Sequence, residues 1–223
     1  MEKHEKAPQF IGVPQFAELA ACVLKQLPRD IDPNIAQGWI KNPKALGKAL
    51  QNALCPPPPS VLERVRASGY LDVSFDGEEV HPLAIRSLTK EQALDEYRKS
   101  GGRTWIWDEL GENMPYSVPE PRGLNVMILS FGRDIGSDEA FVEMDKLDVR
   151  PLTYEELVQY GILYPKHQKK KILVGLGTIH ILHALFGSPH APVLNADDDA
   201  RNLDASSLKL TFHDRHSFLV VPK

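Results

Sequence analysis

The chain has 223 residues, a formal net charge of −4 at pH 7 and 42% hydrophobic residues, which is the composition of an ordinary globular protein. A chain of this length can bury a core without disulfides or metals. Because binding to nucleic acid needs clustered Lys and Arg, the mildly acidic charge argues against a nucleic-acid partner. No apolar run approaches the roughly 20 residues that a transmembrane helix needs, so no membrane span is predicted.

The N-terminal ten residues carry charges but no apolar signal segment follows them. The default expectation is therefore a cytoplasmic protein, and export by a route without such a signal stays open. Cys22 and Cys55 both lie beside apolar helical stretches in the N-terminal half. Buried free thiols are the favoured interpretation, and a disulfide between the two is the alternative.

Helical spacing dominates the first third of the chain. Apolar residues between Phe16 and Leu27 recur every three to four positions, and a second such face runs from Leu46 to Leu54. Asn42 followed by Pro43 is a typical start for the second helix. The run Pro56–Pro59 ends it and predicts a stiff extended spacer.

Capping boxes that begin at Ser60 and Thr89 predict two further short helices. Between them, residues 71–75 alternate apolar and polar side chains, which predicts a strand before the Asp-Gly turn signal. Trp105 and Trp107 are two residues apart and would face the same side of a strand. For this pair, packing in the core or between domains is favoured over a ligand platform.

A cluster of prolines and glycine in residues 115–123 predicts a domain boundary. We expect residues 1–115 to form a mostly helical N-terminal region with a small β element. Residues 116–123 would be a linker, and residues 124–223 a second domain.

The second domain alternates apolar strands with helices. Residues 126–131 and 172–181 predict buried strands, residues 137–147 and 153–161 predict two helices joined by a tight turn, and residues 218–221 predict a terminal strand. The two helices are expected to pack through Phe141, Met144, Leu147 and Leu157. This order of elements predicts an α+β fold.

The second helix carries a recognisable segment. Thr153 and Glu156 form a capping box, flanked by leucines placed as a hydrophobic staple. The segment resembles the R-L-P-T-x-x-E-W-E stretch of formylglycine-generating-enzyme-like domains, with matches at Arg150, Pro151, Thr153, Glu155 and Glu156. This resemblance implies a C-type-lectin-like fold for the second domain, with two helices and a mixed, mainly antiparallel sheet. Those enzymes use cysteine thiols with copper, and no cysteine follows Cys55, so their activity is not implied.

The layout as a whole resembles uncharacterised proteins from candidate-phylum bacteria. The shared stretches are W-I-x-N-P, matched at Trp39–Pro43, and F-x-R-x-I-S-S-D-x-A, matched at Phe131–Ala140. The C-termini of those proteins resemble the variable proteins of diversity-generating retroelements. The resemblance implies a binding module that displays a polar, hypervariable C-terminal face to an unknown protein or surface ligand.

Polar residues are interleaved with apolar ones along the C-terminal tail, which lets exposed residues change without emptying a core. We expect the polar set to be exposed, to cluster on one side and to bind the ligand: Asp197, Asp199, Arg201, Asn202, Asp204, Ser206, Lys209, Thr211, His213, Arg215 and His216. We expect the apolar set to be buried beneath it: Leu203, Leu208, Leu210, Phe212, Phe218 and Val220.

Two other functions remain as alternatives. One is a metal-dependent enzyme of the same fold, with His180, His183 or His213 as ligands; the other is a structural or assembly protein. No cofactor is expected, although the oxygen-rich residues 195–204 leave calcium as an alternative to a solvated loop. A loop is also expected at residues 188–192, around His190.

Overall fold

The structure, a computed structural model, describes residues 12–26, 30–54, 57–182, 187–197 and 200–223. The chain forms two compact units, Met1–Pro58 and Pro59–Lys223. The boundary therefore falls within the proline run that predicted a spacer. The boundary expected at residues 116–123 is not found, because those residues lead directly into a strand of the second unit.

In its described residues the first unit contains three helices, α1 (Val13–Gln26), α2 (Pro33–Lys41) and α3 (Pro43–Leu54). Asn42 caps α3 as predicted, since its side-chain Oδ1 accepts a 3.1 Å hydrogen bond from the backbone N–H of Ala45. Cys22 is a free thiol on an exposed position of α1, so the prediction that it is buried was wrong. Cys55 lies outside the described residues.

The second unit combines helices with one sheet. Its helices are α4 (Val61–Ser68), α5 (Lys90–Lys99), α6 (Asp108–Glu112), α7 (Ser137–Lys146), α8 (Tyr154–Leu163) and a 3-10 helix (His167–Lys169). Its strands are β1 (His81–Ile85), β2 (Arg103–Ile106), β3 (Arg122–Leu129), β4 (Val149–Pro151), β5 (Ile172–Val174), β6 (His180–Leu182), β7 (Ser188–Asp197), β8 (Ala200–Ser207) and β9 (His216–Pro222).

The strands form a nine-stranded sheet in the order β1-β3-β9-β5-β7-β8-β2, with β4 paired to β9 and β6 paired to β7. The pairs β2–β8 and β5–β9 are parallel, and the other pairs are antiparallel. The sheet is therefore mixed, which confirms the predicted α+β class. Across the described ranges, no helix combines the length and apolar character needed to cross a bilayer.

Local capping signals begin the helices where the sequence predicted. Ser60, Thr89 and Thr153 each accept a hydrogen bond from the third residue of the helix, whose side chain accepts one in return from the cap. Such a reciprocal pair satisfies two of the donors that a helix start leaves free. These short-range signals fixed the starts of α4, α5 and α8.

Two hydrophobic cores lie on opposite faces of the sheet. Val126 and Ile128 of β3 belong to the core under α5 and α8, which we call the α5–α8 core. Met127 and Leu129 of the same strand belong to the core under α4 and α7, the α4–α7 core. This alternation is the strand period of two, with both faces of β3 covered.

The predicted helices at residues 137–147 and 153–161 are present as α7 and α8, but they do not pack on each other. Met144 of α7 lies in the α4–α7 core and Leu157 of α8 lies in the α5–α8 core. Strand β4 separates the two helices and pairs with β9. The chain therefore passes from one face of the sheet to the other, and the predicted tight turn was wrong.

Two predicted strands were also wrong in extent. In residues 71–75 only Leu71 makes an isolated bridge, to Leu129. The predicted strand 172–181 is interrupted between β5 and β6. Gly177 explains the interruption, because its N–H donates to the carbonyl of Leu152 at 2.8 Å and a Cβ there would lie only 2.6 Å from that oxygen.

Two predicted loops are strands. His190 lies in β7, and most of residues 195–204 form the end of β7 and the start of β8. The two strands pair antiparallel from His190 to Asp197. Residues 198–199 are outside the described ranges. The acidic composition of this segment suggested a loop, but pairing of long antiparallel strands prevails over that local signal.

Candidate functional site

Part of the sheet on the α4–α7 side is left uncovered. Val193 of β7 belongs to the α4–α7 core, so Asn195 and Asp197, which alternate with it, point to the same side. Of the described residues, none in β8 or β2 belongs to that core. The outer strands β7, β8 and β2 therefore present an open polar surface.

Strand register places specific side chains together on this surface. Trp105 of β2 is the partner of Asn202 of β8, which is in turn the partner of Asn195 of β7. The next row joins Arg103 to Ala200 and Asp197 in the same way. Directly opposed residues on neighbouring strands lie close enough for their side chains to interact.

These residues line a groove at the sheet edge, which we call the edge groove. Its first part, about 760 Å³, is lined by Arg103, Thr104, Trp105, Asp197, Ala200, Asn202 and Asp204. An adjoining part of about 430 Å³ shares three of these residues and reaches Lys169, Ile172, Asn195 and Arg215. The groove thus runs across four strands, from Trp105 to the segment before β5.

The edge groove carries charged groups that the fold leaves unpaired. Arg103, Asp197, Lys169 and Arg215 make no ion pair within the described parts of the chain. Lys170, which follows Lys169 in the chain, already forms an ion pair with Asp76 at 2.8 Å. Charges of both signs are therefore available to a ligand.

Lys171 also has a partner, Asp72, whose side chain is nearly buried. Burial alone would raise the pKa of the Asp72 carboxyl, but hydrogen bonds from Lys171 and Ser74 outweigh it and hold that pKa below its usual value. The ion pair between Asp72 and Lys171 holds the segment that joins the 3-10 helix to β5. Lys169, the last residue of the 3-10 helix, comes just before this segment and is exposed.

Trp105 is the one large aromatic side chain among the residues that line the described groove. It is 48% exposed, whereas Trp107 is half-buried against the α5–α8 core. The prediction of core or inter-domain packing was therefore wrong for Trp105. The prediction that both tryptophans face one side was also wrong, because β2 ends at Ile106 and Trp107 is the N-cap residue of α6 instead of continuing the strand.

A buried network lies beneath the groove, and its central residue, Gln168, also lines the adjoining part. The side chain of Gln168 donates to the carbonyl oxygens of Asn195 at 2.6 Å and Asn202 at 3.2 Å. Its Oε1 accepts hydrogen bonds from Arg201 at 3.2 and 3.1 Å. Buried hydrogen bonds therefore hold the backbone of the two groove asparagines.

Arg201 was predicted to be an exposed binding residue, and it is 1% exposed. Its register partner on β7 is Ala196, and neighbouring Asn202 faces the groove, so Arg201 points to the α5–α8 side. There it donates to Ser100 Oγ at 2.9 Å and to the carbonyl of Gly161 at 2.6 Å. Its role is structural.

The other predicted binding residues divide into three groups. Asp197, Asn202, Asp204 and Arg215 line the edge groove, although Asn202 is only 9% exposed. Lys209, Thr211 and His213 are exposed in the loop after β8, where His213 contacts Asp134 at 3.1 Å. Ser206 is half-buried on β8 and Asp199 lies outside the described residues. The predicted set therefore does not form one surface.

His216 was predicted to be exposed and is buried. Its Nδ1 accepts a 3.1 Å hydrogen bond from the backbone N–H of His213, and its ring contacts Phe212. Burial lowers the pKa of His216, although the carbonyl oxygen of His213, 3.2 Å from Nδ1, favours the protonated ring. Of the residues predicted to be buried, Leu203, Phe212, Phe218 and Val220 are confirmed. Leu208 is only half-buried and Leu210 is exposed.

The described residues contain no group of three or more His, Cys, Asp or Glu side chains that could hold a metal ion. His180 lies on β6 opposite His190, and His213 lies in the loop after β8. His183 is outside the described ranges. The sequence-based metal site at these histidines gains no support from their placement.

Sequence reasoning missed Arg103, Trp105 and Lys169 as site residues. Each belongs to a segment distant in sequence from the tail, and only the parallel pairing of β2 with β8 and the position of the 3-10 helix bring them to it. No protein-family model, curated protein or solved structure matches the chain.

Proposed function

We propose that the protein is a binding module and that the edge groove is its ligand site. The observation that carries the proposal is Trp105, an exposed aromatic side chain beside two register-matched asparagines and four unpaired charges. Exposed aromatic residues and Arg dominate the energy of many protein interfaces. The surrounding amides and charges supply hydrogen bonds that orient a partner.

The partner that fits this site is an extended peptide segment of another protein. Among the described strands, β2 lies at one end of the sheet and pairs only with β8. The backbone N–H of Trp107 donates to the carbonyl oxygen of Leu203 in β8 at 3.0 Å. Because successive N–H groups along a strand point to opposite edges, those of Thr104 and Ile106 point away from β8, toward the open edge of the sheet. A partner strand could pair with that edge, and its side chains would then lie next to Trp105.

The resemblance to variable proteins of diversity-generating retroelements suggests that the groove residues vary between relatives. Asp197, Asp204 and Arg215 could change at little cost, since surface substitutions usually alter stability by about ±0.5 kcal/mol. Arg201 could not, because its buried hydrogen bonds hold the fold. A near-copy of the 3′ end of the gene beside a reverse-transcriptase gene would support this part of the proposal, and its absence would count against it.

We also propose a C-type-lectin-like fold for residues 124–223. It is supported by the segment around Thr153 and by the mixed sheet with a helix on each face. The nine-stranded sheet also takes in β1 and β2, which precede the region of resemblance.

Selection of peptides from a random phage-displayed library tests the binding proposal. Peptides selected on the full chain should bind at least tenfold more weakly to a Trp105→Ala variant. The matched control is Leu163→Ala, because Leu163 is similarly exposed at 53% but lines a separate groove beside β1. Loss of binding in the control instead of in Trp105→Ala would reject the edge groove.

A second variant tests strand pairing. Proline is tolerated on edge strands where its missing N–H would face solvent. Thr104→Pro should keep the thermal melting curve of the fold while weakening the selected peptides. If Thr104→Pro binds normally, the peptide contacts the groove without adding a strand to β2.

A further inference from the structure

The first unit presents apolar surface that the fold does not cover. Helix α2 has no buried residue, and Ile35 and Ile40 are 57% and 71% exposed. Leu50 of α3 is also exposed. Exposed apolar residues grouped in one short segment usually mark a surface that binds something else.

All charged residues in this segment have one sign. Residues 33–54 contain Lys41, Lys44 and Lys48 and no Asp or Glu, so their formal charge is 3 − 0 = +3, whereas the whole chain carries −4. On α3, Lys44 and Lys48 are four residues apart and share one face. Leu46 and Leu50 share the face opposite to them.

Trp39 completes the pattern, because it is half-buried on α2 next to exposed Ile40. Helices that combine Trp, Ile or Leu on one side with lysines on the other lie in the plane of a membrane surface. The apolar side enters the boundary between headgroups and acyl chains, and the lysines contact anionic headgroups. An acidic protein could supply the charge, but it would need its own matching apolar groove.

We propose that α2 and α3 form a peripheral site for anionic lipid surfaces. Binding would leave the helices on the bilayer surface without crossing it. The lysines supply the preference for anionic lipid, and Ile35 and Ile40 supply the apolar contact. The site lies in the first unit and is independent of the edge groove.

Co-sedimentation of the full chain with vesicles tests this site. The vesicles are pure phosphatidylcholine in one set and contain about 30% phosphatidylglycerol in the other. We expect at least tenfold tighter binding to the anionic vesicles, and weaker binding as salt rises, because salt screens charges beyond a Debye length. Equal binding to both sets would overturn the proposal.

Two variants separate charge from apolar contact. Lys41→Glu, Lys44→Glu and Lys48→Glu together should lower partitioning by about 100-fold, since each lysine near an anionic surface contributes about one kilocalorie per mole. Ile35→Asn with Ile40→Asn should weaken binding to the anionic vesicles by at least tenfold. Circular dichroism would confirm that both variants keep their helices.

The matched control reverses three exposed lysines of the second unit, Lys99, Lys146 and Lys166, which changes net charge by the same amount. This control should bind anionic vesicles almost as well as the wild type. If it loses binding equally, net charge alone governs the effect and the proposal fails. It also fails if no vesicle binds and Ile40→Asn instead converts a dimer to a monomer in light scattering, because the surface would then be an interface between copies.

Discussion

The guanidinium of Arg201 donates a 2.6 Å hydrogen bond from Nη2 to the backbone carbonyl of Gly161, in the last turn of α8. The same side chain reaches Ser100 and the carbonyl of Tyr97 at the end of α5, and lies over the ring of Tyr97. No carboxylate pairs with Arg201 in the described structure. The negative ends of two helix dipoles therefore stabilise its buried charge.

Arg201→Met should destabilise the second unit by about 3 kcal/mol or more, because it leaves buried acceptors of α5, α8 and Gln168 without their donor. Urea unfolding followed by circular dichroism would measure this change. Arg215→Met, at an exposed position, is the control and should stay within about 0.5 kcal/mol of the wild type. A loss below about 1 kcal/mol for Arg201→Met would contradict the structural role assigned here.

Gly161 allows α8 to approach α5 closely. A Cβ at this position would lie 2.7 Å from Cε2 of Tyr97 and 3.2 Å from Cδ1 of Leu194. Gly161→Ala should therefore cost about 1–3 kcal/mol through overpacking, although alanine is the better helix former. Gly111→Ala is the matched control, since the nearest atom to its Cβ is 4.0 Å away. If both variants are equally stable, α8 does not pack as closely against Tyr97 of α5 as described here.

Glu156 is a fully buried carboxylate. It accepts 2.8 Å hydrogen bonds from Arg122 and Arg150 and a 3.0 Å hydrogen bond from the backbone N–H of Thr153. Burial alone would raise the pKa of Glu156, but these hydrogen bonds outweigh it and hold the pKa below its usual value.

Glu156→Gln should lower the free energy of unfolding by about 2 kcal/mol, less than for a wholly buried ion pair because both arginines are partly exposed. Chemical denaturation at pH 7 would measure the change. Glu155→Gln is the control, and its expected loss is about 1 kcal/mol or less because only its contact with the backbone of Ser117 is weakened. Equal losses for the two variants would show that the buried ion pairs of Glu156 stabilise the fold no more than the exposed contact of Glu155 does.

His81 predicts a dependence of stability on pH. It is 3% exposed, its Nε2 has no hydrogen-bond partner within the described structure, and its ring packs against Tyr164 and His167. The pKa of His81 is lowered to about 4, mainly by burial; the charges of His167 and Lys170 act in the same direction, and Asp76 opposes them. Because the folded-state pKa lies below the unfolded value of 6.5, the unfolded chain binds the proton more readily.

The stability that depends on neutral His81 is therefore complete above pH 6.5 and is lost as pH falls toward 4. Between pH 7 and pH 5 the loss should be about 2 kcal/mol. His81→Phe keeps an aromatic ring without the titrating group, so its stability should fall less over this range. Urea titrations at the two pH values would show this difference, and parallel losses in both proteins would contradict it.

Local sequence signals predicted the starts of α4, α5 and α8, because the capping boxes at Ser60, Thr89 and Thr153 depend on residues three positions apart. They did not predict α2 or α6. The sheet was harder to predict, since its pairs join residues far apart in sequence. Trp105 shows the consequence. Its strand joins the tail strand β8 in parallel across nearly 100 residues, and no local pattern encodes that contact.

The candidate site was predicted in part. Alternation along the tail correctly placed Asn202 and Leu203 on opposite sides of β8, but Asn202 was predicted to be exposed and is buried in the groove floor. The same rule could not distinguish the groove side of β8 from a side covered by helices. Arg201 was therefore taken as exposed. A charged residue usually lies at the surface, and only the two helix ends above Arg201 make its burial tolerable.

The role proposed for the edge groove is to bind a peptide segment through Trp105. Nuclear magnetic resonance of the nitrogen-15-labelled full chain, titrated with a selected peptide, tests it most directly. The largest shift changes should fall on the indole N–H of Trp105 and the side-chain amides of Asn195 and Asn202, with small changes around Leu163. Changes confined to the loop around His213 or to the groove beside β1 would contradict it.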